Sequence, residues 1–372
     1  MRLLIAGGGT GGHLFPGIAV AEEVRRRGGE VLFVGTARGI EAKAVPAAGY
    51  PLELLQVSGL KRVGFGRFLL GIGRLPLALG QSLGILRRFR PDVVLGVGGY
   101  ASGPLVLAAA LARRPSTIME QNSVPGFTNR VLGRLVDRVF LSFDVARGSF
   151  PERKIVMSGN PVRQAFLERS AGLSAPRGPS AAGLSSAGGA GPRLLVVGGS
   201  QGARAVNDLV LGAVALWAKS GRVPPIVHQT GGADLERVQA AYAKLDVGDR
   251  VRVVAFIDDV VRAYADADLV IARAGATTLA ELAVARRPAV LVPLPTAADD
   301  HQRINANAYA ALGAARVFAQ DPNQVGGFAE EVAALLADAD RRAAMAAAME
   351  ASARPHAARD IADVIWALKK AP

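Results

Sequence analysis

Short apolar runs alternate with longer stretches in which apolar residues recur every three or four positions, and the alternation continues through the whole chain. Runs at 2–6, 31–34, 93–97, 116–120, 138–142 and 155–157 predict strands in the first half. Runs at 193–197, 226–229, 251–255, 269–272 and 289–292 predict them in the second. They are rich in Val, Ile and Leu and mostly uninterrupted, as expected of strands buried on both faces of a parallel sheet. Between them the period is helical. After the first run, Ile18, Val20 and Val24 make a helical stripe, and Pro16 falls where a first-turn proline is tolerated. The tail from about 328 to 370 is Ala-rich and helical. The pattern predicts an α/β chain built from two similar halves.

Length agrees: 372 residues, half of them hydrophobic, suit two domains of roughly 150 residues better than one oversized core. A Gly/Ser/Ala/Pro segment at 172–192, with Arg177 its only charge, reads as a flexible surface stretch near the boundary. The expected division is 1–165 and 166–344, with a helix at 345–372 packing back on the first domain. The chain has no cysteine, which excludes disulfides, thiolate metal sites and thiol nucleophiles. No signal peptide and no spanning helix are expected.

Charge separates the halves. Residues 1–170 hold 23 Lys/Arg against 11 Asp/Glu, a net +12 of the chain's +13. Nucleic acid, an anionic membrane surface or an anionic substrate would each suit such a balance. No acidic residue lies between Glu53 and Asp92, whereas Lys61, Arg62, Arg67, Arg74, Arg87, Arg88 and Arg90 do, interleaved with Leu, Ile and Phe. Two readings fit that span: a segment on an anionic leaflet, or an amphipathic helix packed inward on the sheet.

Glycine-rich turns follow several predicted strands. Gly7-Gly8-Gly9-Thr10-Gly11-Gly12-His13 follows the first, and Gly198-Gly199-Ser200-Gln201-Gly202-Ala203-Arg204 opens the second half. Glycine lets backbone N–H groups approach an anion, and a following helix N-terminus adds positive partial charge. Gly96-Val97-Gly98-Gly99-Tyr100 is a third such turn. Two loops in matched contexts predict two Rossmann-like domains facing a shared cleft. His13 enters the next helix, where the residue taken alone reads first as a cap or surface group and second as a general base, since a neutral imidazole suits that position. Glu120-Gln121-Asn122 ends a strand at the ligand-binding edge, or caps the next helix. Arg273-Ala274-Gly275-Ala276-Thr277-Thr278 begins a helix with the small residues of a phosphate seat, and Glu281 lies one turn on, in reach of a ribose diol. Asp299-Asp300 lacks supporting ligands and Asp258-Asp259 reads as a turn and helix cap, so no metal is expected; no cofactor is expected either.

In this order, with Gly159-Asn160-Pro161-Val162-Arg163 and His301-Gln302 added, the motifs resemble the MurG family of bacterial N-acetylglucosaminyltransferases, which convert lipid I to lipid II in peptidoglycan synthesis. The resemblance spans nearly the whole chain. It implies a GT-B architecture and an inverting, metal-independent transfer from UDP-N-acetylglucosamine to the 4-hydroxyl of a muramoyl sugar on a polyprenyl diphosphate. It implies that Ser200, Ala276, Thr277 and Thr278 meet the donor phosphates, that Leu279 and Ala280 also belong to the donor site, that Glu281 holds ribose, that Ile257 and Arg163 address uracil, and that Gln302 meets sugar hydroxyls. Thr10, Gly11, Gly12 and Asn122 would join the donor side, and Gly98, Gly99 and Tyr100 the acceptor side. His13 is the candidate base, with Glu120 as rival or helper. A peripheral position on the cytoplasmic face of the membrane is implied, with no nucleic acid partner and room for other cell-wall or division proteins.

Three other readings remain at this point. One is a related enzyme acting on another lipid acceptor, such as diacylglycerol. Another is a dinucleotide oxidoreductase, disfavoured because the second strand ends Val34-Gly35-Thr36 with no acid before Glu41. The last is a non-catalytic binder using the basic half.

Overall fold

A computed structural model describes residues 1–37, 39–56, 75–171, 191–199 and 202–369. The basic stretch 61–74 and most of the segment 172–192 lie outside the described residues, as does Ser200. The chain forms two compact units, Met1–Gln164 with Arg354–Pro372, and Ala165–Ala353. The return to the first unit therefore begins at Arg354 and not at 345. Helix Ala339–Ser352 belongs to the second unit, and only helix Ala357–Ala367 to the first.

Among the described residues the first unit holds a seven-stranded parallel sheet. Its strands are β1 (Arg2–Gly7), β2 (Glu30–Gly35), β3 (Leu52–Leu54), β4 (Val93–Gly98), β5 (Ser116–Glu120), β6 (Arg138–Leu141) and β7 (Ile155–Met157), in the order β3-β2-β1-β4-β5-β6-β7. Every residue of β4 and β5 is buried, which explains the unbroken apolar sequence of β4; β5 buries Ser116, Thr117 and Glu120 along with Ile118 and Met119. Alternate side chains feed two cores. Leu3, Ile5, Val93, Leu95 and Val97 meet helices Gly11–Arg26 and Ala357–Ala367 through Leu14, Ile18, Ile361 and Ile365. Leu4, Ala6, Val94 and Ile118 meet helices Leu75–Phe89 and Ser102–Leu111 through Ile85, Leu86, Leu105 and Val106. Truncating a fully buried residue such as Leu95 to alanine should cost about 2–5 kcal/mol. Ile85, Leu86 and Phe89 turn inward, so the described part of the basic span packs on the sheet, with Arg87 and Arg88 left exposed.

The second unit has a six-stranded parallel sheet among its described residues: β8 (Leu194–Val197), β9 (Ile226–Gln229), β10 (Val251–Val254), β11 (Leu269–Ala272), β12 (Ala289–Leu291) and β13 (Ala315–Val317), in the order β10-β9-β8-β11-β12-β13. Helices Arg204–Lys219 and Val325–Ala337 cover one face, with Val206, Val210, Val214, Phe328 and Val332 in the core. Trp217 ties them together by donating its Nε1–H to the Ala329 carbonyl at 3.2 Å.

Candidate active site

In the first sheet β1 and β4 are neighbours, yet the chain travels from β1 out to β2 and β3 before returning. Open α/β sheets bind ligands at such a reversal, beyond the carboxyl ends of the strands. Two glycine loops meet there. The Gly8 N–H donates to the Gly98 carbonyl at 3.2 Å. Gly99 has φ +81°, and a Cβ on it would stand 2.3 Å from the Gly8 oxygen, so only glycine closes this junction. Tyr100 follows, exposed.

Glu41 supports the first loop from below. It is 1% exposed and starts helix Glu41–Ala47, from which its carboxylate reaches back. Oε2 accepts the Gly9 N–H at 2.6 Å, and Oε1 accepts the Thr36 N–H at 2.9 Å and the Thr36 hydroxyl at 2.8 Å. Gly8, Gly35 and Gly39 all pack on this side chain. The acid missing from the end of the second strand thus arrives from the next helix. It takes an N–H that a dinucleotide phosphate would need, which argues further against the oxidoreductase reading.

His13 lies in the first turn of helix Gly11–Arg26, half-buried, with Nδ1 3.0 Å from Gln121 Oε1. Gln121 is 1% exposed and donates its Nε2–H to the Val97 carbonyl at 3.0 Å. Gly98 makes room for the ring, since a Cβ there would stand 2.7 Å from Nδ1. Thr10, Gly11 and Gly12 line the same turn. Arg163 lies over the Phe15 ring, 5.0 Å from its centroid.

Glu120 does not fit the role of rival base. It is 2% exposed, and its carboxylate is used within its own turn. Oε1 accepts from the Asn122 N–H and Nδ2, at 3.1 and 3.4 Å, while Oε2 accepts from the Gly126 N–H and Asn129 Nδ2, at 3.2 and 2.8 Å. Four donors on two buried oxygens make it a strap that shapes the loop and sets Asn122.

In the second sheet the order reverses between β8 and β11. The loop after β8 is held by Gln229, whose Nε2–H groups reach the Gly199 and Ala255 carbonyls at 3.0 and 3.1 Å. Gly202, at φ +74°, passes so close that a Cβ would stand 2.2 Å from the Thr230 oxygen. Under the loop, Asn207 donates to the Thr230 carbonyl at 3.1 Å and to Asp234 at 2.7 Å, and its oxygen meets His228 Nε2 at 3.1 Å. The other ring nitrogen of His228 meets the Tyr242 hydroxyl at 2.8 Å. Burial pushes His228 down to about 3, so it serves as a neutral strut.

After β11, Arg273 donates to the Val292 and Pro293 carbonyls and to Gln320 Oε1, at 2.9, 3.2 and 2.7 Å, and burial lowers its guanidinium to about 10. Asn305, fully buried, donates to the Ala274 carbonyl at 3.1 Å. Gly275 then enters helix Ala276–Val284 in extended conformation with no side-chain cap, so the positive end of the helix lies just beyond β11. Thr277, Thr278, Ala280 and Glu281 are half-buried; Ala276 and Leu279 are buried, so they offer backbone only. Ile257 lies half-buried between β10 and helix Val260–Asp266. Gln302 Oε1 accepts the Leu294 N–H at 3.0 Å, which aims the remaining amide donors. Asp300 is paired with Arg303. Of these supports, Glu41, Gln121, Gln229, Asn207 and Asn305 had no assigned role in the sequence reading.

Two family models match the chain, the glycosyltransferase family 28 N-terminal domain over residues 3–141 and the C-terminal domain over residues 193–363. The chain belongs to glycosyltransferase family 28, with the two Rossmann-like domains of the GT-B fold. Its relatives narrow the class to one enzyme. A protein of Anaeromyxobacter sp. (strain Fw109-5), 50% identical over 98% of this chain and 92% of its own, is named UDP-N-acetylglucosamine--N-acetylmuramyl-(pentapeptide) pyrophosphoryl-undecaprenol N-acetylglucosamine transferase. One of Myxococcus xanthus (strain DK1622), 48% identical over 98% and 92%, has the same name. The crystal structure of Acinetobacter baumannii MurG matches with TM-score 0.78 and 32% identity, over 98% of this chain and 99% of that one.

Proposed function

We propose that this chain transfers N-acetylglucosamine from UDP-N-acetylglucosamine to the 4-hydroxyl of the muramoyl sugar of undecaprenyl-diphosphate-linked lipid I, making lipid II for peptidoglycan. The observation that carries it is near-full-length identity to transferases of that name, on a chain whose two units each present glycine loops at a sheet reversal. In the second unit, the uncapped start of helix Ala276–Val284, with Thr277 and Thr278, takes the donor diphosphate. Glu281 takes the ribose, Ile257 the uracil and Gln302 the sugar. In the first unit, Gly98, Gly99 and Tyr100 take the acceptor, and Thr10, Gly11, Gly12 and Asn122 complete the donor side.

The reaction is a displacement at the anomeric carbon. The acceptor oxygen forms its bond on the face opposite UDP, the bond to UDP breaks, and the hydroxyl proton passes to His13 Nε2. Attack from the opposite face inverts the centre. Charge developing on UDP is met by backbone N–H groups and a helix N-terminus, which need no metal.

The net +12 of residues 1–170 suits a diphosphate acceptor in an anionic membrane surface. Exposed Phe127, Val131 and Leu135 beside exposed Arg130 and Arg134 support a peripheral position, on the cytoplasmic face. No helix among the described residues is long and apolar enough to cross a membrane. Other cell-wall or division proteins are further candidate partners.

The test is UDP release from UDP-N-acetylglucosamine with EDTA present, with and without a short-chain lipid I analogue. Release that needs both substrates is expected. Release with a diacylglycerol acceptor but not with lipid I would overturn the acceptor assignment.

A further inference from the structure

The hydrogen bonds around His13 fix which of its nitrogens is the base. Three adjacent strand ends build this arrangement: β1 leads into the turn carrying His13, β4 supplies Val97 and Gly98, and β5 leads into Gln121. The Val97 carbonyl can only accept, so the Gln121 amide must turn its –NH₂ toward it, at 3.0 Å. The reverse orientation would set two oxygens against each other inside a side chain that is 1% exposed. Gln121 Oε1 therefore faces His13 Nδ1 at 3.0 Å, and an oxygen acceptor there requires a proton on Nδ1.

We propose that Gln121 is a positioning residue that holds neutral His13 in the Nδ1–H tautomer, leaving the Nε2 lone pair to take the proton of the acceptor hydroxyl. This rests on His13 being the base. The logic is that of a carboxylate orienting a catalytic histidine, with one difference in chemistry. An amide selects the tautomer without adding negative charge beside a sugar-diphosphate site. Gly98 belongs to the same device, because any side chain there would push the ring off Gln121.

The experiment is long-range ¹H–¹⁵N correlation on the full chain with ¹⁵N-labelled histidine. The chain has only four histidines, and the His13 signals are those lost in His13→Ala. Neutral His13 is expected with its proton on Nδ1. Gln121→Met, similar in length but without either hydrogen bond, should let the proton move to Nε2. It should also lower kcat by about 10–100-fold, part of the roughly 10²–10⁴-fold that general-base catalysis contributes. KM for both substrates should stay within about twofold. A wild-type proton on Nε2 overturns the proposal, and this spectrum decides even if the Met variant fails to fold. An unchanged tautomer and kcat in Gln121→Met also overturns it. Undiminished transfer by His13→Ala overturns the base assignment itself and the catalytic half of the proposal, while the wild-type spectrum still settles the tautomer.

Discussion

Glu41 gives the sharpest test of how the first glycine loop is held. Its carboxylate accepts three hydrogen bonds, from the Gly9 N–H, the Thr36 N–H and the Thr36 hydroxyl. In Glu41→Gln one oxygen can still serve Thr36, but an –NH₂ then faces the Gly9 N–H. A lost bond to a charged acceptor and a mismatched donor should cost about 2 kcal/mol. Glu41→Ala loses all three bonds and leaves a void, for about 4 kcal/mol.

A chain of two compact units need not unfold in one step, so the assay needs a reporter in one of them. The chain has two tryptophans. Trp217 lies in the second unit's core, and Trp366 packs on the first unit's. In a Trp217→Phe background, urea unfolding followed by fluorescence reports the first unit alone. With a slope of about 2 kcal/mol/M, the Gln variant should lower the midpoint by about 1 M. A companion probe checks the cause. A Cβ on Gly35 would stand 2.4 Å from Glu41 Cγ, so Gly35→Ala should cost about 1–3 kcal/mol alone and almost nothing in the Glu41→Ala background. A midpoint shift below about 0.2 M for Glu41→Gln, or additive costs in the double variant, would refute the reasoning.

Three more outcomes are expected. His228 titrates near 6.5 when unfolded and about 3 when folded, so between these values the unfolded chain holds the extra proton. Second-unit stability should be full above pH 6.5 and fall by about 1.4 kcal/mol per pH unit below it, and His228→Asn should flatten that slope. Gly99→Ala should keep its circular dichroism spectrum but lose at least about tenfold in transfer, because the loop junction opens; activity within about twofold of wild type would count against that junction. Asn305→Ala frees the Ala274 turn and should weaken UDP binding by about 5–30-fold in calorimetry, whereas unchanged binding would uncouple that turn from the donor.

The strands were legible where sequence and burial coincide. Ser116–Glu120, Ile226–Gln229 and Leu269–Ala272, buried throughout, match the predicted runs end to end, and so does Ile155–Met157, an edge strand only partly buried but wholly apolar. Two strands gave no such run: β3 and β13 are three residues each, at sheet edges, and only partly buried. Their pairing comes from the neighbouring strand. Glycine loops were legible because a left-handed or close-packed backbone demands glycine, as at Gly99 and Gly202. What braces them was not. Glu41 lies five residues from Thr36 and 32 from Gly9, and nothing local marks a carboxylate that will fold back on both. Glu120 was misread for the opposite reason: a strand-end acid resembles a base in sequence, and only the four donors around it reveal its use. Gln121 stood inside a quoted motif, but its meaning depends on Val97, 24 residues earlier.

The chain's second crossing into the first unit has a consequence for biosynthesis. Residues up to Gln164 leave the ribosome with all seven strands of their sheet, but Ile361 and Ile365, which seal one face of it, do not yet exist. At 5–20 residues per second, that face waits roughly 10–40 s while the second unit is made. Helix Gly11–Arg26 meanwhile shows water an apolar flank whose cover, and whose Arg27–Asp363 ion pair, arrive last. The nascent chain is thus most open to chaperones, and to aggregation, through its N-terminal domain, and losing a few residues from helix Ala357–Ala367 would harm the oldest part of the molecule.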